Sequence, residues 1–269
     1  MDHFIQLANE MEELGLHKHV DVIMKTALDL TQVINEDALS AAGGYGRFYS
    51  KFSPENKHTM KNQLGQIPHD VGIKHFYDQG NSLVDISENL AFVYLAPYIK
   101  ANTDLTVPVN KGIVSLSGMI ANKMIVTQKM PGSPINDLLR SVGINKYDQN
   151  HIGLDTERAI RNKLKDIGIT WNDIHVGNYF VHPETADEFL MYFNQNKSTI
   201  FNEEYDEIDF YVFDFDFSKK ACIFDFGGFY TSSSTPPGQQ LLNLKKKIDA
   251  QPKNGVLGVV SRAILNMVD

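Results

Sequence analysis

The apolar pattern changes period at Pro131-Gly132, and this change constrains the fold more than any other feature of the chain. From about residue 38 to 130 the sequence offers short runs, RFYSKF, VGIKHFY, TVPV, GIVSLSG and KMIVTQKM, cut by Gly and Pro. Such runs read as strands, because β-branched and aromatic side chains pack well on a pleated surface. One segment breaks the series. In SLVDISENLAFVYLAPYI the apolar residues Leu83, Ile86, Leu90, Val93 and Tyr94 recur at the spacing of a helix face. Beyond Pro131-Gly132 helical spacing dominates at residues 134–142 and 154–167 and again near 239–249 and 256–267, with strands expected between 178 and 229. A β-rich half followed by an α-rich half predicts an α+β fold.

Ahead of the strands, Phe4, Leu7, Met11 and Leu14, then Val20, Ile23, Met24, Ala27 and Leu28, predict two short helices broken at Gly15. The expected organisation is a helical extension over 1–35, a β-rich lobe over 36–130 and an α-rich lobe over 131–269. SSSTPPG at 232–238 reads as a mobile loop.

Charge and cysteine usage narrow the function classes. Across 269 residues, 33 Asp and Glu outweigh 25 Lys and Arg, a net charge of −8. Binding nucleic acid needs clustered cations to neutralise phosphates, and the densest basic run is only Lys245-Lys246-Lys247, so no nucleic-acid partner is expected. The single cysteine, Cys222, cannot form an internal disulfide, which predicts a reducing, cytoplasmic setting, the cell's own or a host's. No apolar run reaches the roughly 18 residues of a membrane span, and the first residues lack the pattern of a signal peptide. His17 and His19 have neither Cys nor a carboxylate constellation beside them and do not read as a zinc site.

The densest chemistry lies in Ile169-Thr-Trp-Asn-Asp173-Ile-His175-Val-Gly-Asn178, which follows a helix and precedes a strand. Asp173 stands five positions ahead of Asn178 in a polar loop. Phosphoryl transfer needs such a pair: a carboxylate that orients an attacking hydroxyl and takes its proton, and a neutral oxygen ligand for magnesium. Downstream, Ala221-Cys-Ile-Phe-Asp225-Phe226-Gly227-Gly228 sets a carboxylate at the end of an apolar strand, where a second metal ligand would sit.

DIHVGN followed by IFDFGG resembles the catalytic loop and the Asp-Phe-Gly motif of the protein-kinase-like superfamily, which includes aminoglycoside and choline kinases. The resemblance implies a bilobal fold, a β-rich N-lobe and a reduced α-rich C-lobe, with ATP and Mg²⁺ held between them. It also implies partners upstream. Gly43, Gly44 and Gly46 would form the glycine-rich turn over the phosphates, Val71-Gly72-Ile73-Lys74 the strand whose lysine holds them, and Glu88 the helix carboxylate that orients Lys74. Thr127 falls in the gatekeeper position, and Gln128 to Met130 in the hinge that binds adenine through backbone groups. Asp173, Lys74 and Glu88 would then be catalytic, and Asn178 and Asp225 would hold the metal. His175 would support the loop by hydrogen bonding.

Three departures from the family pattern stand out. Trp171 occupies the position two before Asp173 that is usually His or Tyr. Asn178 and Asp225 lie 225 − 178 = 47 positions apart, far more than a hairpin, so residues 184–217 are expected to be a strand-rich insertion. A competing register takes NYFVHPETADEFLMYFN as the usual strand, turn and strand, and Asp214 and Asp216 are alternatives to Asp225 as the ligand. Only 269 − 227 = 42 residues follow Gly227, without an Ala-Pro-Glu motif. The reduced C-lobe resembles minimal bacterial effector and phage kinases, which implies a protein Ser/Thr acceptor. A small-molecule alcohol, as in the aminoglycoside and choline kinases, and a non-catalytic pseudokinase that acts as a binding module remain as alternatives.

Overall fold

The fold is that of a computed structural model, which describes residues 39–42, 46–49, 71–76, 82–115, 123–251 and 255–269. The helices expected before residue 35, and Gly43 and Gly44, lie outside the described residues. Strands and helices mix as an α+β fold requires, in two compact units.

The first unit comprises the described residues up to Leu95, Val109–Lys129 and Pro236–Asp269. Its strands β1 (Leu39–Ala42), β2 (Gly46–Tyr49), β3 (Val71–Phe76), β4 (Asn110–Ser115) and β5 (Lys123–Gln128) form one sheet in the order β1-β2-β3-β5-β4. Every neighbouring pair is antiparallel. Helix α1 (Ser82–Leu90) follows the sheet's central strand and passes into a single π-helical turn, Ala91–Leu95, whose Ala91, Phe92 and Leu95 are buried. Helices α6 (Pro236–Asp249) and α7 (Gly255–Met267) complete the unit.

That last assignment corrects the expected division, which placed everything after residue 131 in one helical lobe. Leu257, Val260, Ala263, Ile264 and Met267 line one buried face of α7, and this face packs on α1, while α6 packs on α7 and on the π-turn. An apolar helical stripe must be covered by something, but its sequence does not say by which element. Between the two units of sequence, SSSTPPG is no free loop. Thr231 Oγ1 and Thr235 Oγ1 share a 2.6 Å hydrogen bond, the Thr235 N–H donates to Ser232 O at 3.0 Å, and Pro236 already opens α6.

The second unit comprises Ala96–Pro108 and Met130–Thr235. It holds helices α2 (Ala96–Asn102), α3 (Ile135–Ser141), α4 (Lys146–Asp166) and α5 (Pro183–Ile200). It also holds three two-stranded ribbons: β6 (Ile169–Trp171) with β11 (Phe229–Thr231), β7 (Tyr179–Phe180) with β10 (Cys222–Ile223), and β8 (Phe201–Asn202) with β9 (Glu207–Ile208). Helix α4 begins eight positions before the expected 154, because Asn145 caps it by accepting the Asp148 N–H at 2.9 Å. Asp148, Ile152, Thr156, Ile160 and Leu164 form its buried stripe at strict four-residue spacing.

Residues 184–217, expected to be strand-rich, are instead an 18-residue helix followed by a short hairpin and an extended segment. Pro183 starts α5 behind a His182 cap, and Thr185, Phe189, Phe193 and Ile200 bury one face. The strand signal in Phe213-Asp-Phe-Asp-Phe217 has a different origin. Phe215 and Phe217 pack against Phe189 of α5 at 5.3 and 4.8 Å between ring centroids, while Asp214 and Asp216 face water. Alternation here records burial against a helix rather than ladder pairing, since period-two patterning reports which side is buried and not what buries it.

Among the described residues no helix is long and apolar enough to cross a membrane.

Candidate functional site

The polar residues singled out by sequence gather in two sets, one in each unit. In the first unit, Lys74 lies on β3 opposite Phe48 of β2 and Ile125 of β5, and Glu88 lies near the end of α1. Lys74 Nζ donates to Glu88 Oε2 at 2.7 Å. Glu88 is 1% exposed and Lys74 9% exposed, so both charges are withdrawn from water. A buried ion pair of this kind is costly to assemble and holds its two side chains in one geometry. Gly46 begins β2 opposite Phe76. Thr127 Oγ1 donates to Gly72 O at 3.4 Å, and the Gln128 N–H donates to Val109 O at 2.9 Å, so that amide serves the fold. The chain leaves the unit after Lys129, and Met130, buried, is the first residue of the next segment of the second unit.

In the second unit the loop after β6 and the turn after β10 come together, and strand pairing is the cause. Trp171 of β6 stands opposite Phe229 of β11, while Tyr179 of β7 stands opposite Ile223 of β10. The two ribbons therefore carry the ends of the Asp173–Asn178 loop to the two ends of the Asp225–Gly228 turn. The Asn172 N–H donates to Gly228 O at 3.0 Å, and the Phe224 N–H to Asn178 O at 3.4 Å. Gly228 has φ +72°, and a β-carbon there would lie 3.3 Å from Asp173 Cβ. Glycine is needed at this position for both its left-handed backbone and the close approach.

Within the loop, Asn178 is buried and its Nδ2 donates to Asp173 O at 2.8 Å and to Asp173 Oδ2 at 3.4 Å. The amide group thus spends its donor on the loop and keeps a carbonyl oxygen as acceptor. Asp173 itself is exposed. Asp225 is buried, and its Oδ1 accepts the Gly227 N–H at 2.9 Å, which shapes the turn. His175 Nδ1 accepts the Gly177 N–H at 3.0 Å, the supporting role expected of it.

Trp171 is fully buried and stacks on Phe229, with centroids 4.8 Å apart, and Phe229 stacks on Phe226 at 4.7 Å. This three-ring stack ties the loop to the turn. It also gives the unusual tryptophan a packing role, with its indole Nε1 unpaired among the described residues.

Two residues of α4 that sequence reading passed over also brace the loop. Tyr179 Oη donates to Gly153 O at 3.3 Å, and a β-carbon on Gly153 would meet Val176 Cγ1 at 2.8 Å. Glu157 accepts from the Val176 backbone, and burial pushes its carboxyl above the usual range against the pull of His175 and Arg161. The available signal was a glycine inside a helical pattern, a position that costs about 1 kcal/mol relative to alanine unless something packs close.

The alternative ligands sit elsewhere. Asp216 Oδ1 accepts from the Ser218 N–H at 2.8 Å, and Asp214 is exposed beside Tyr192, whose hydroxyl accepts the Asp214 N–H. Nor does NYFVHPETADEFLMYFN form a hairpin, since the partner of β7 is β10, just ahead of Asp225. Among the described residues no three His, Cys, Asp or Glu cluster as a metal site. The pairing of β7 with β10 brings Asn178 and Asp225 onto neighbouring segments, and their amide oxygen and carboxylate are hard oxygen donors. Two such ligands suit Mg²⁺, which keeps waters and phosphate oxygens in its remaining positions.

The sequence matches no protein-family model and no curated protein.

Proposed function

We propose that this chain is an ATP- and magnesium-dependent phosphotransferase that moves the γ-phosphoryl group to a hydroxyl, with a protein Ser or Thr side chain as acceptor. The observation that carries the reading is the meeting, within the second unit, of the Asp173–Asn178 loop and the Asp225–Gly228 turn, held by two ribbons and by the Asn172 to Gly228 hydrogen bond. In the first unit, Lys74 and Glu88 form the buried ion pair that the kinase resemblance calls for, and by that resemblance Lys74 would supply the cation a polyphosphate needs.

Each residue has a task its environment suits. Asp173, exposed, would accept a hydrogen bond from the acceptor hydroxyl and take its proton as the acceptor oxygen bonds to the γ-phosphorus. The bond from that phosphorus to the bridging oxygen breaks, and ADP leaves with the electron pair. Asn178 and Asp225 would hold Mg²⁺, which when bound neutralises charge on the phosphates. Lys74, kept in place by Glu88, would hold the phosphates.

The test is transfer from γ-labelled ATP by the purified full chain, with and without magnesium, to itself, to lysate proteins and to small alcohols, with products located by mass spectrometry. Transfer that requires magnesium, is abolished by Asp225→Ala and is largely kept by Asp214→Ala is the expected result. Loss on Asp214→Ala instead would reassign the metal ligand. Tight Mg-ATP binding without transfer to any acceptor would replace the enzyme by a pseudokinase binding module.

A further inference from the structure

The β8–β9 hairpin and the segment after it carry a surface that the phosphotransfer reading does not use. Between residues 201 and 217 the chain has seven carboxylates, Glu203, Glu204, Asp206, Glu207, Asp209, Asp214 and Asp216, and no Lys or Arg. Lys197 pairs with Glu203, and Lys163 reaches Asp216 at 3.9 Å. Among the described residues the other five have no basic partner.

Apolar groups are exposed at the same place. Tyr211 is 100% exposed and Tyr205 60%, with Phe210 and Val212 also open to water. Helix α4 extends the patch: Tyr147, His151 and Leu154 fall on one face, the His151 ring lies 4.8 Å from Phe210, and Tyr147 and Leu154 are 76% and 58% exposed. The patch is held rigidly from beneath, since the Ile208 N–H donates to buried Asp148 Oδ2 at 2.7 Å and Asn145 Nδ2 to Asp206 O at 2.8 Å. Beside it runs an open groove of about 510 Å³, lined by Phe201, Asn202, Glu203, Glu207, Ile208 and Asp209.

Exposed aromatics gathered on a braced surface mark an interaction site, because leaving them in water gains the fold nothing. The charge selects the occupant. A second copy of this chain would bring the same carboxylates and be repelled, and so would an anionic membrane. We infer that this surface docks a basic segment of a partner protein, whose apolar side chains cover Tyr211, Phe210 and the α4 face while its Lys and Arg side chains enter the groove beside Glu207 and Asp209. The inference rests on this surface alone and stands or falls apart from the nucleotide chemistry.

The probe is a fluorescent synthetic peptide of repeating Leu, Lys and Arg, titrated with the full chain in the absence of nucleotide and followed by anisotropy. A peptide with Glu in place of Lys and Arg serves as control. Binding of the basic peptide only, weakened about tenfold or more by Tyr211→Ala and again by Glu207→Gln with Asp209→Asn, is expected. The pair Asp166→Asn with Asp187→Asn removes the same charge elsewhere in the unit and should change little. Equal weakening by that pair would reduce the effect to net charge and overturn the proposal. So would indifference to Tyr211→Ala, equal binding of the acidic peptide, or self-association in sedimentation velocity that Tyr211→Ala abolishes. Tyr211 is fully exposed and its backbone N–H, which donates to Asp209 Oδ1 at 3.0 Å, is kept in the alanine variant, so circular dichroism of the variant should match that of the parent chain.

Discussion

Asp173 and Asn178 divide their labour by exposure: one carboxylate stands in water, while the amide that orients it is buried. A positioned general base contributes roughly 10²–10⁴ in rate. Asp173→Asn should therefore lower phosphoryl transfer at least about a hundredfold, and Mg-ATP affinity, measured by calorimetry, should barely change. A parallel fall in affinity would mean that Asp173 serves binding rather than proton transfer. Cys222 offers a second test at this scale. Burial in β10 raises its thiol to about 11 from an ordinary value near 9. Because the unfolded chain ionises first, stability should hold below pH 9 and fall as pH rises from about 9 towards 11. Urea titrations of the parent chain and of Cys222→Ala should diverge in slope over that window, and thiol reagents at pH 8 should react only on unfolding.

At the scale of elements, the candidate site depends on short strands that could not stand alone. The β6–β11 and β7–β10 ribbons have two or three residues a side, and they persist because Trp171, Tyr179, Cys222, Ile223 and Phe229 are all buried. Gly228 is a close joint between the turn and the loop, its β-carbon position 3.3 Å from Asp173 Cβ. Gly228→Ala should cost about 1–2 kcal/mol for the left-handed backbone alone. It should also push on Asp173, so urea denaturation would show lost stability and the transfer assay a lower rate. Retained stability would mean that the turn relaxes freely. Helix α5 teaches a different lesson. Its aromatic-rich run suits a strand by composition, yet a proline at its first position and buried residues at helical spacing decide otherwise.

For the whole molecule, ligand binding and stability are linked. A ligand that binds only the folded state at about 100 times its Kd adds about 2.7 kcal/mol. Each kcal/mol moves Tm by roughly 2–4 °C at this size, so saturating Mg-ATP should raise Tm by several degrees. Trp171, the chain's one tryptophan, lies between the loop and the turn, so its fluorescence follows unfolding of the second unit in particular. A folded sample with no shift at millimolar Mg-ATP would count against nucleotide binding altogether.

What the sequence determined by itself was local: the helix periods that became α1, α3, α4, α6 and α7, the strand at Val71–Phe76, and the two polar motifs around Asp173 and Asp225. These rest on spacing within one element and on turn chemistry, which neighbours in sequence carry. The tertiary structure alone decided three things. It paired β7 with β10 across more than forty positions, which set Asp225 rather than Asp214 or Asp216 beside the loop. It packed the phenylalanines of the following segment onto α5, with Phe215 and Phe217 against Phe189. It placed α6 and α7 in the unit of the sheet, with α7 against the helix of Glu88 and α6 against α7 and the π-turn. In each case the deciding force is burial of apolar surface, which has no direction along the chain, so a sequence can state that a face must be covered without stating what covers it.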